Sequence, residues 1–161
     1  MNQPFRSPLW IMIEKYTQLE LDLNYTFSDR SLIQHALTHK TYAFEADEPI
    51  QFNERLEFLG DSILNFIVAK YLYQKNMFFS EGELTRRRAQ LVNNKKLSTI
   101  AKTLHIGSYL KLGKGEIQQN GHLNNKNLAN ALEALIGAIY IDSNINTIEL
   151  VIIDLFQLNE H

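Results

Sequence analysis

One segment of this chain combines a long apolar helix pattern with three acids on a single face. Residues 53–66, NERLEFLGDSILNF, place Glu54, Glu57 and Asp61 at positions i, i+3 and i+7. At about 100° per residue, this spacing gathers the three carboxylates into one narrow stripe. The segment around them is apolar on nearly every side, which is typical of a central, enclosed helix. Carboxylates in such a helix repel one another and lose hydration unless a cation neutralises them.

Two explanations for these acids compete. Arg55 points about 100° away from the stripe, so a salt bridge within the helix does not neutralise them. A divalent ion such as Mg²⁺ would neutralise the three carboxylates, because it takes oxygen ligands and combines a few carboxylates with water and a substrate phosphate. In the alternative, Glu54 stabilises the helix start through the macrodipole while the other acids face water. The spacing alone leaves both explanations open.

A second apolar segment could supply further oxygen ligands. In residues 128–138, LANALEALIGA, Asn130 and Glu133 stand at positions i and i+3. The alanines and the glycine of this segment leave room for a neighbouring helix to approach closely. We expect that packing to bring Glu133 against Asp61.

The rest of the sequence also reads as helices, so we predict a nearly all-α fold. Helix-start signals occur at four places: Ser7 before Pro8, Ser28, Asn53, and Ser80 with Glu83 in a capping-box pattern. Residues 43–52 read as a loop, Gly107 is expected to end a helix that starts near residue 94, and a last helix is expected from about residue 147. The 161 residues suffice for one core, so residues 1–161 are expected to form a single domain, with 1–7 flexible.

The charges are unevenly distributed along the chain. The net charge is −2, yet residues 84–126 contain nine basic side chains against Glu116 alone. Such a block is either a solvated helical surface or a contact for a polyanion. There is no cysteine and no apolar run long enough to cross a bilayer. We therefore expect a soluble, cytoplasmic protein without a membrane partner.

Five blocks of the chain, in order, closely resemble the nuclease domain of the bacterial ribonuclease III family, enzymes that cut double-stranded RNA. They are HALTHKTY at 35–42, NERLEFLGDS at 53–62, SEGELTRRRAQLV at 80–92, LGKGE at 112–116 and ALEALIGAIYID at 131–142. The resemblance covers about residues 12–158. It implies an all-helical endonuclease domain that forms a homodimer, with one metal cluster per subunit and a valley for the RNA duplex.

The resemblance also implies roles for individual residues. Four would be catalytic and hold the metal: Glu57, Asp61, Asn130 and Glu133. Glu54 and Glu81 would be accessory acids, and Phe58 would lie at the dimer interface. The basic block would contact RNA, through Arg86, Arg87, Arg88, Lys95, Lys114 and Lys126. The cofactor would be Mg²⁺, with Mn²⁺ as a substitute, and the products would carry a 5′ phosphate and a 3′ hydroxyl.

Two features depart from the family pattern. The family normally has aspartate where this chain has Asn130, so the metal site lacks one negative charge. Three explanations are open: the aspartate was deliberately replaced to stall cleavage, the protein is an impaired relative that binds duplex RNA without cutting it efficiently, or the amide still supports cleavage. The chain also ends at His161, where a C-terminal RNA-binding domain would begin, so the basic block is expected to supply most phosphate contacts.

Other metal sites fit the sequence less well. His35 and His39 share a helix face at i and i+4, but no third zinc ligand is evident. A di-iron oxidoreductase also uses buried carboxylates but requires Glu-x-x-His pairs. None of Glu54, Glu57 and Glu133 has a histidine three residues on.

Overall fold

The protein is helical throughout the part of the chain that the structure describes. A computed structural model describes residues 9–160, with side chains from 15 to 159. Its α-helices are α1 (Leu9–Asp22), α2 (Arg30–Ala36), α3 (Lys40–Phe44), α4 (Glu54–Lys75), α5 (Glu81–Leu91), α6 (Asn94–Thr103), α7 (Lys114–Gln118), α8 (Asn125–Asp142) and α9 (Ile145–Leu155). Within these residues there is no strand, only an isolated bridge between Thr38 and Lys111. The all-α prediction is confirmed.

Most predicted helix starts agree with the structure to within two residues. Helix α4 begins directly after Asn53, although the Asn53 side chain makes no capping hydrogen bond. At α5 both hydrogen bonds of the capping box between Ser80 and Glu83 are present. Helix α2 is capped by Asp29 instead of the expected Ser28, because the Asp29 carboxylate accepts from the Ser31 N–H. The expected cap at residue 7 and the expected flexibility of residues 1–7 lie outside the described residues.

The sequence pattern missed two five-residue helices, α3 and α7. Helices this short have no apolar period of their own and form only where tertiary contacts hold them. Here the Glu45 carboxylate after α3 accepts from the Lys114 N–H at the start of α7, at 2.9 and 3.0 Å. Gly107 does not end α6 as expected; it lies in a 3-10 turn formed by residues 106–108, because α6 already ends at Thr103.

Helices α4 and α8 form the centre of the fold and cross at two glycines. A Cβ atom on Gly60 would overlap the carbonyl oxygen of Glu133, and one on Gly137 would overlap the carbonyl oxygen of Leu56. Every residue from 131 to 139 in α8 is buried. The predicted close packing of these two helices is therefore confirmed, and it depends on small residues on both sides.

The prediction that α4 is enclosed on nearly every side was wrong for this chain. Phe58, Phe66 and Tyr73 are 77%, 56% and 74% exposed. They follow one another at spacings of eight and seven residues, which places them on one face of the helix. Just beyond this helix, Met77 and Phe78 are also exposed. Helix α4 thus has two apolar faces. One packs against α8, and the described residues leave the other exposed.

The start of α2 is fixed by a carboxylate at the end of α8. Asp142 accepts hydrogen bonds from the Tyr25 hydroxyl at 2.6 Å and from the backbone N–H groups of Ser28 and Asp29 at 2.7 and 2.9 Å. Among residues 9–160, no helix combines the length and apolar character that crossing a membrane requires.

Candidate active site

A pocket of about 360 Å³ opens where the starts of α3, α4, α7 and α8 meet. We call it the acidic pocket. Its lining residues are His39, Lys40, Asn53, Glu54, Glu57, Glu116, Lys126, Asn127 and Asn130. The fold thus brings together side chains that are up to 91 positions apart in the sequence. Of the predicted catalytic residues, Glu57 and Asn130 face this pocket.

Glu133 does not line the pocket and lies at the crossing of α4 and α8. It is only 9% exposed, and it makes no hydrogen bond or ion pair with any described residue. Burial, together with the nearby Asp61 and Glu57 carboxylates, raises the pKa of Glu133 to about 7. Asp61 and Glu57 of α4 therefore lie close enough to Glu133 of α8 to influence its charge. An unpartnered buried carboxylate of this kind is unfavourable unless a proton or a cation neutralises it.

Glu57 is half-buried and has neighbours of both signs. Burial raises its pKa, the Glu54 carboxylate raises it further, and Lys126 and Lys40 partly oppose these effects. Glu54 itself pairs with Lys40 across 2.9 Å, and both side chains are about half exposed. Sequence reasoning considered only salt bridges within the helix, so it missed this lysine, which is supplied by α3.

The Asp61 side chain is exposed and forms a hydrogen bond within its own helix. Its Oδ1 atom accepts from the Asn65 Nδ2 group at 2.8 Å. Within residues 9–160, no three acidic, histidine or cysteine side chains are close enough together to hold a metal ion. The gathering of Glu57, Asp61 and Glu133 around one ion therefore stays a prediction.

Glu116 is a pocket residue that sequence reasoning missed. Its Oε1 atom accepts from the Asn127 Nδ2 group at 2.7 Å, and the same amide group donates to the Gly121 carbonyl oxygen. This network ties α7 to the first turn of α8, on the rim of the acidic pocket. The sequence did contain a feature that could have singled out Glu116, because it is the one acidic residue in the segment 84–126, which has nine basic residues.

The two histidines considered as zinc ligands have hydrogen-bonding partners. His35 Nε2 is hydrogen-bonded to the Phe52 carbonyl oxygen at 2.8 Å. His39 Nδ1 contacts the Thr41 hydroxyl at 2.8 Å at the start of α3. Desolvation lowers the pKa of His39, which favours its neutral form.

The predicted RNA-binding residues differ in their burial and local contacts. Lys126 lies at the acidic pocket, while Arg86, Lys95 and Lys114 are exposed. Arg87 is half-buried, with its guanidinium carbon 4.1 Å from the centre of the Phe79 ring. Arg88 lines a groove between α4 and α5, together with Phe66 and Tyr73.

The predicted accessory acid Glu81 lies apart from the acidic pocket of its own chain. It stands in the first turn of α5, where its Oε1 atom accepts from the Thr85 hydroxyl at 2.9 Å. Phe58 projects from α4 and is the most exposed of the apolar residues within that helix.

Comparisons with known proteins agree with the all-helical fold. A profile described as ribonuclease-III-like matches residues 29–157. Ribonuclease 3 of Caldanaerobacter subterraneus subsp. tengcongensis is 41% identical over 141 residues, which cover 88% of this chain and 62% of that protein. Ribonuclease 3 of Buchnera aphidicola subsp. Acyrthosiphon pisum is 46% identical over 135 residues, which cover 84% and 57%. The chain thus spans about three fifths of the length of these relatives.

Solved structures give the same result. The nuclease domain of ribonuclease III from Campylobacter jejuni superposes with a TM-score of 0.83 at 36% identity, covering 90% of this chain and 98% of that one. Dicer from Pichia stipitis matches with a TM-score of 0.62 at 29% identity, covering 83% of this chain and 56% of that one. The chain belongs to the ribonuclease-III-like family, and it corresponds to the part that forms the nuclease domain in the Campylobacter jejuni protein.

Proposed function

We propose that this chain is the nuclease domain of an endoribonuclease that hydrolyses double-stranded RNA with Mg²⁺. Its products would carry 5′ phosphate and 3′ hydroxyl ends, and its role would be RNA processing. The observation that carries the proposal is Glu133, a buried carboxylate with no partner among the described residues, beside Asp61 and Glu57. The family membership and the names of the relatives support the same activity.

The oxygen donors around Glu133 suit a hard divalent ion in their chemistry. Glu57, Asp61 and Glu133 offer carboxylates, and Asn130 offers an amide oxygen. These four residues would hold Mg²⁺, or Mn²⁺ in its place. A bound divalent ion lowers the pKa of a water molecule and stabilises the charge on the attacked phosphate and the leaving oxygen.

The charged residues around the acidic pocket would orient the RNA. Lys126 and Lys40 place positive charge next to Glu57, where a phosphate would otherwise be repelled by the acids. Glu54 and Glu81 would act as accessory acids. Exposed basic side chains, including Arg86, would contact further phosphates, so binding would weaken steeply with salt. Recognition of shape and 2′-hydroxyls would favour A-form RNA over DNA.

We further propose that two copies of the chain form a homodimer through the exposed face of α4. Phe58 is 77% exposed, and Phe66 and Tyr73 continue the same face. These two residues also line an apolar groove of about 330 Å³ between α4 and α5. Exposed aromatic residues beside an apolar groove are typical of protein interfaces. The Campylobacter jejuni structure is itself described as flexible in a region involved in dimer formation.

A second candidate function follows from Asn130. A neutral amide gives the metal site one negative charge fewer than an aspartate would, so the ion would be held less tightly. In this alternative the protein binds duplex RNA without efficient cleavage.

A cleavage assay separates these functions. A long RNA duplex is incubated with the protein and Mg²⁺ or Mn²⁺, alongside the variants Glu57→Gln and Glu133→Gln. The matched control is Asp154→Asn, an exposed carboxylate on α9. We expect cleavage that drops about 100-fold or more in both glutamine variants and is unchanged in the control. Duplex binding without cleavage in either metal supports the second function, and absence of both contradicts the proposal.

A further inference from the structure

A second cavity, of about 260 Å³, lies on another side of the start of α8. It is open to solvent and is bounded by α6, by the 3-10 turns at residues 106–108 and 121–123, and by α8. We call it the histidine cavity. Its lining residues are Lys102, His105, Gly107, Ser108, His122, Leu123 and Leu128. None of these lining residues is acidic, in contrast to the acidic pocket.

The polar groups of the histidine cavity have unused hydrogen-bonding capacity. The imidazoles of His105 and His122 make no hydrogen bond or ion pair with the described residues. The Lys102 ammonium group donates one hydrogen bond, to the Asn125 Oδ1 atom at 2.7 Å, and has two further donors. A lysine and two imidazoles without acidic partners form a site that favours an anion.

The two histidines stand on backbone segments that touch each other. His105 has φ 53°, the left-handed conformation that often follows the C-cap of a helix, here Leu104 at the end of α6. The two 3-10 turns touch, because a Cβ atom on Gly107 would overlap the carbonyl oxygen of His122. The imidazoles therefore project from two turns that are packed against each other, and not from independent loops.

The histidine cavity and the acidic pocket share one wall. Leu128 of α8 faces the histidine cavity, while Lys126, Asn127 and Asn130 of the same turns face the acidic pocket. An α-helix with its side chains is about 10–12 Å thick, so the two sites lie within reach of one polyanion strand. Because a nucleic-acid backbone carries a phosphate on every nucleotide, one strand could occupy both sites.

We propose that the histidine cavity is a phosphate-binding site that holds a backbone phosphate of the RNA beside the acidic pocket. This inference rests on the proposed function for its choice of RNA as the phosphate source. The charged groups around the site are Lys102, His105 and His122, with Glu116 packed against the neighbouring Gly121.

The first test uses inorganic phosphate and the full chain. The imidazole proton signals are followed by nuclear magnetic resonance at pH 6 and assigned with His105→Gln and His122→Gln. Phosphate should shift the signals of His105 and His122, while chloride at equal ionic strength should not. His35, which is hydrogen-bonded to a backbone carbonyl, serves as the internal control. If neither cavity histidine responds, or if all histidines respond alike, the proposed site is wrong.

The second test asks whether RNA is the phosphate source. The double variant H105Q/H122Q should bind a short RNA duplex about tenfold more weakly than the unmodified protein at pH 6. Lys75→Gln, which removes an exposed lysine from the end of α4, is the control and should change affinity less than the double variant does at pH 6.

The two tests separate the possible failures. If phosphate binds in the cavity but the double variant binds RNA as well as the unmodified protein does, the site serves a free phosphate-bearing ligand and the RNA assignment is overturned. If the unmodified protein binds no duplex at all, the proposed function fails, while the phosphate titration still decides whether the cavity is an anion site.

Discussion

The carbonyl oxygen of Glu133 lies directly against the α-carbon of Gly60. There is no room for a methyl group between them, because a Cβ atom at residue 60 would overlap that oxygen. This contact sets the distance between α4 and α8, and so it sets how far Glu57 and Asp61 stand from Glu133.

Gly60→Ala should therefore destabilise the protein. Overpacking of a buried helix crossing costs about 1–3 kcal/mol and forces the helices apart. Gly82→Ala is the matched control, since residue 82 lies in α5 with no atom near the added methyl group, and it should be neutral or slightly stabilising. Urea unfolding of both variants measures the difference. Equal stability of the two variants would show that the helix crossing can relax.

Glu133→Gln should stabilise the protein, but only toward neutral and alkaline pH. Folding raises the pKa of Glu133 from 4.5 to about 7. The protonated side chain therefore contributes fully to the free energy of unfolding below pH 4.5, and this contribution is lost as the pH rises through 7. The cost of ionising it in the folded state is about 3 kcal/mol. Unfolding free energies should thus be similar at pH 4.5 and differ at pH 8.

Mg²⁺ provides the control for that prediction. At pH 8 the ion should stabilise the unmodified protein, because it binds only the folded carboxylates, and it should stabilise Glu133→Gln much less. A glutamine variant that gains no stability at pH 8 would mean that Glu133 is already neutralised by another group.

Asn130→Asp should raise Mg²⁺-dependent cleavage of a long RNA duplex. Asn130 lines the acidic pocket beside Glu57, so an aspartate there adds a negative oxygen ligand for the metal. Calorimetry should show tighter Mg²⁺ binding in the same variant. Asn146→Asp, at the exposed start of α9, adds the same charge elsewhere and should leave both measurements unchanged. Equal cleavage rates in the two forms of residue 130 would show that the amide is harmless.

Phe58→Ala should weaken dimer formation without weakening the subunit. A central aromatic residue at an interface commonly contributes about 2 kcal/mol, which corresponds to a roughly 30-fold higher dissociation constant. Because Phe58 is 77% exposed within its own chain, its removal should hardly change the stability of the monomer. Sedimentation equilibrium measures the association. Leu150→Ala, at a residue 69% exposed on α9, is the control, and an equal loss of association there would exclude the α4 face.

Two adjacent arginines should behave differently. Arg86 is exposed, so Arg86→Ala should weaken duplex binding and reduce its dependence on salt. Arg87 stacks on Phe79, so Arg87→Ala should lower the free energy of unfolding by about 1 kcal/mol and change RNA binding less. Fluorescence anisotropy at several salt concentrations and urea unfolding together distinguish the two roles. If both arginines affect only binding, the Phe79 contact is not important for stability.

The sequence by itself determined the helical class, the start of α4 and the pairing of α4 with α8. These features depend on the apolar period, the capping residues and the small residues, which act over one or two helical turns. Their pattern can therefore be recognised in the sequence alone. It also placed Glu57 and Asp61 on one face of α4, because helical spacing fixes which way side chains of one helix face.

Only the tertiary structure decided which groups surround those acids. Lys40, Glu116 and the two cavity histidines come from α3, α7 and two 3-10 turns, elements too short to have a period of their own. Their positions depend on contacts between residues far apart in the chain, such as the Glu45 carboxylate against the Lys114 N–H. For the same reason the pattern of α4 did not reveal that Phe58, Phe66 and Tyr73 remain exposed. Apolar side chains favour burial, but the pattern does not specify whether residues of this chain or of a second chain cover them.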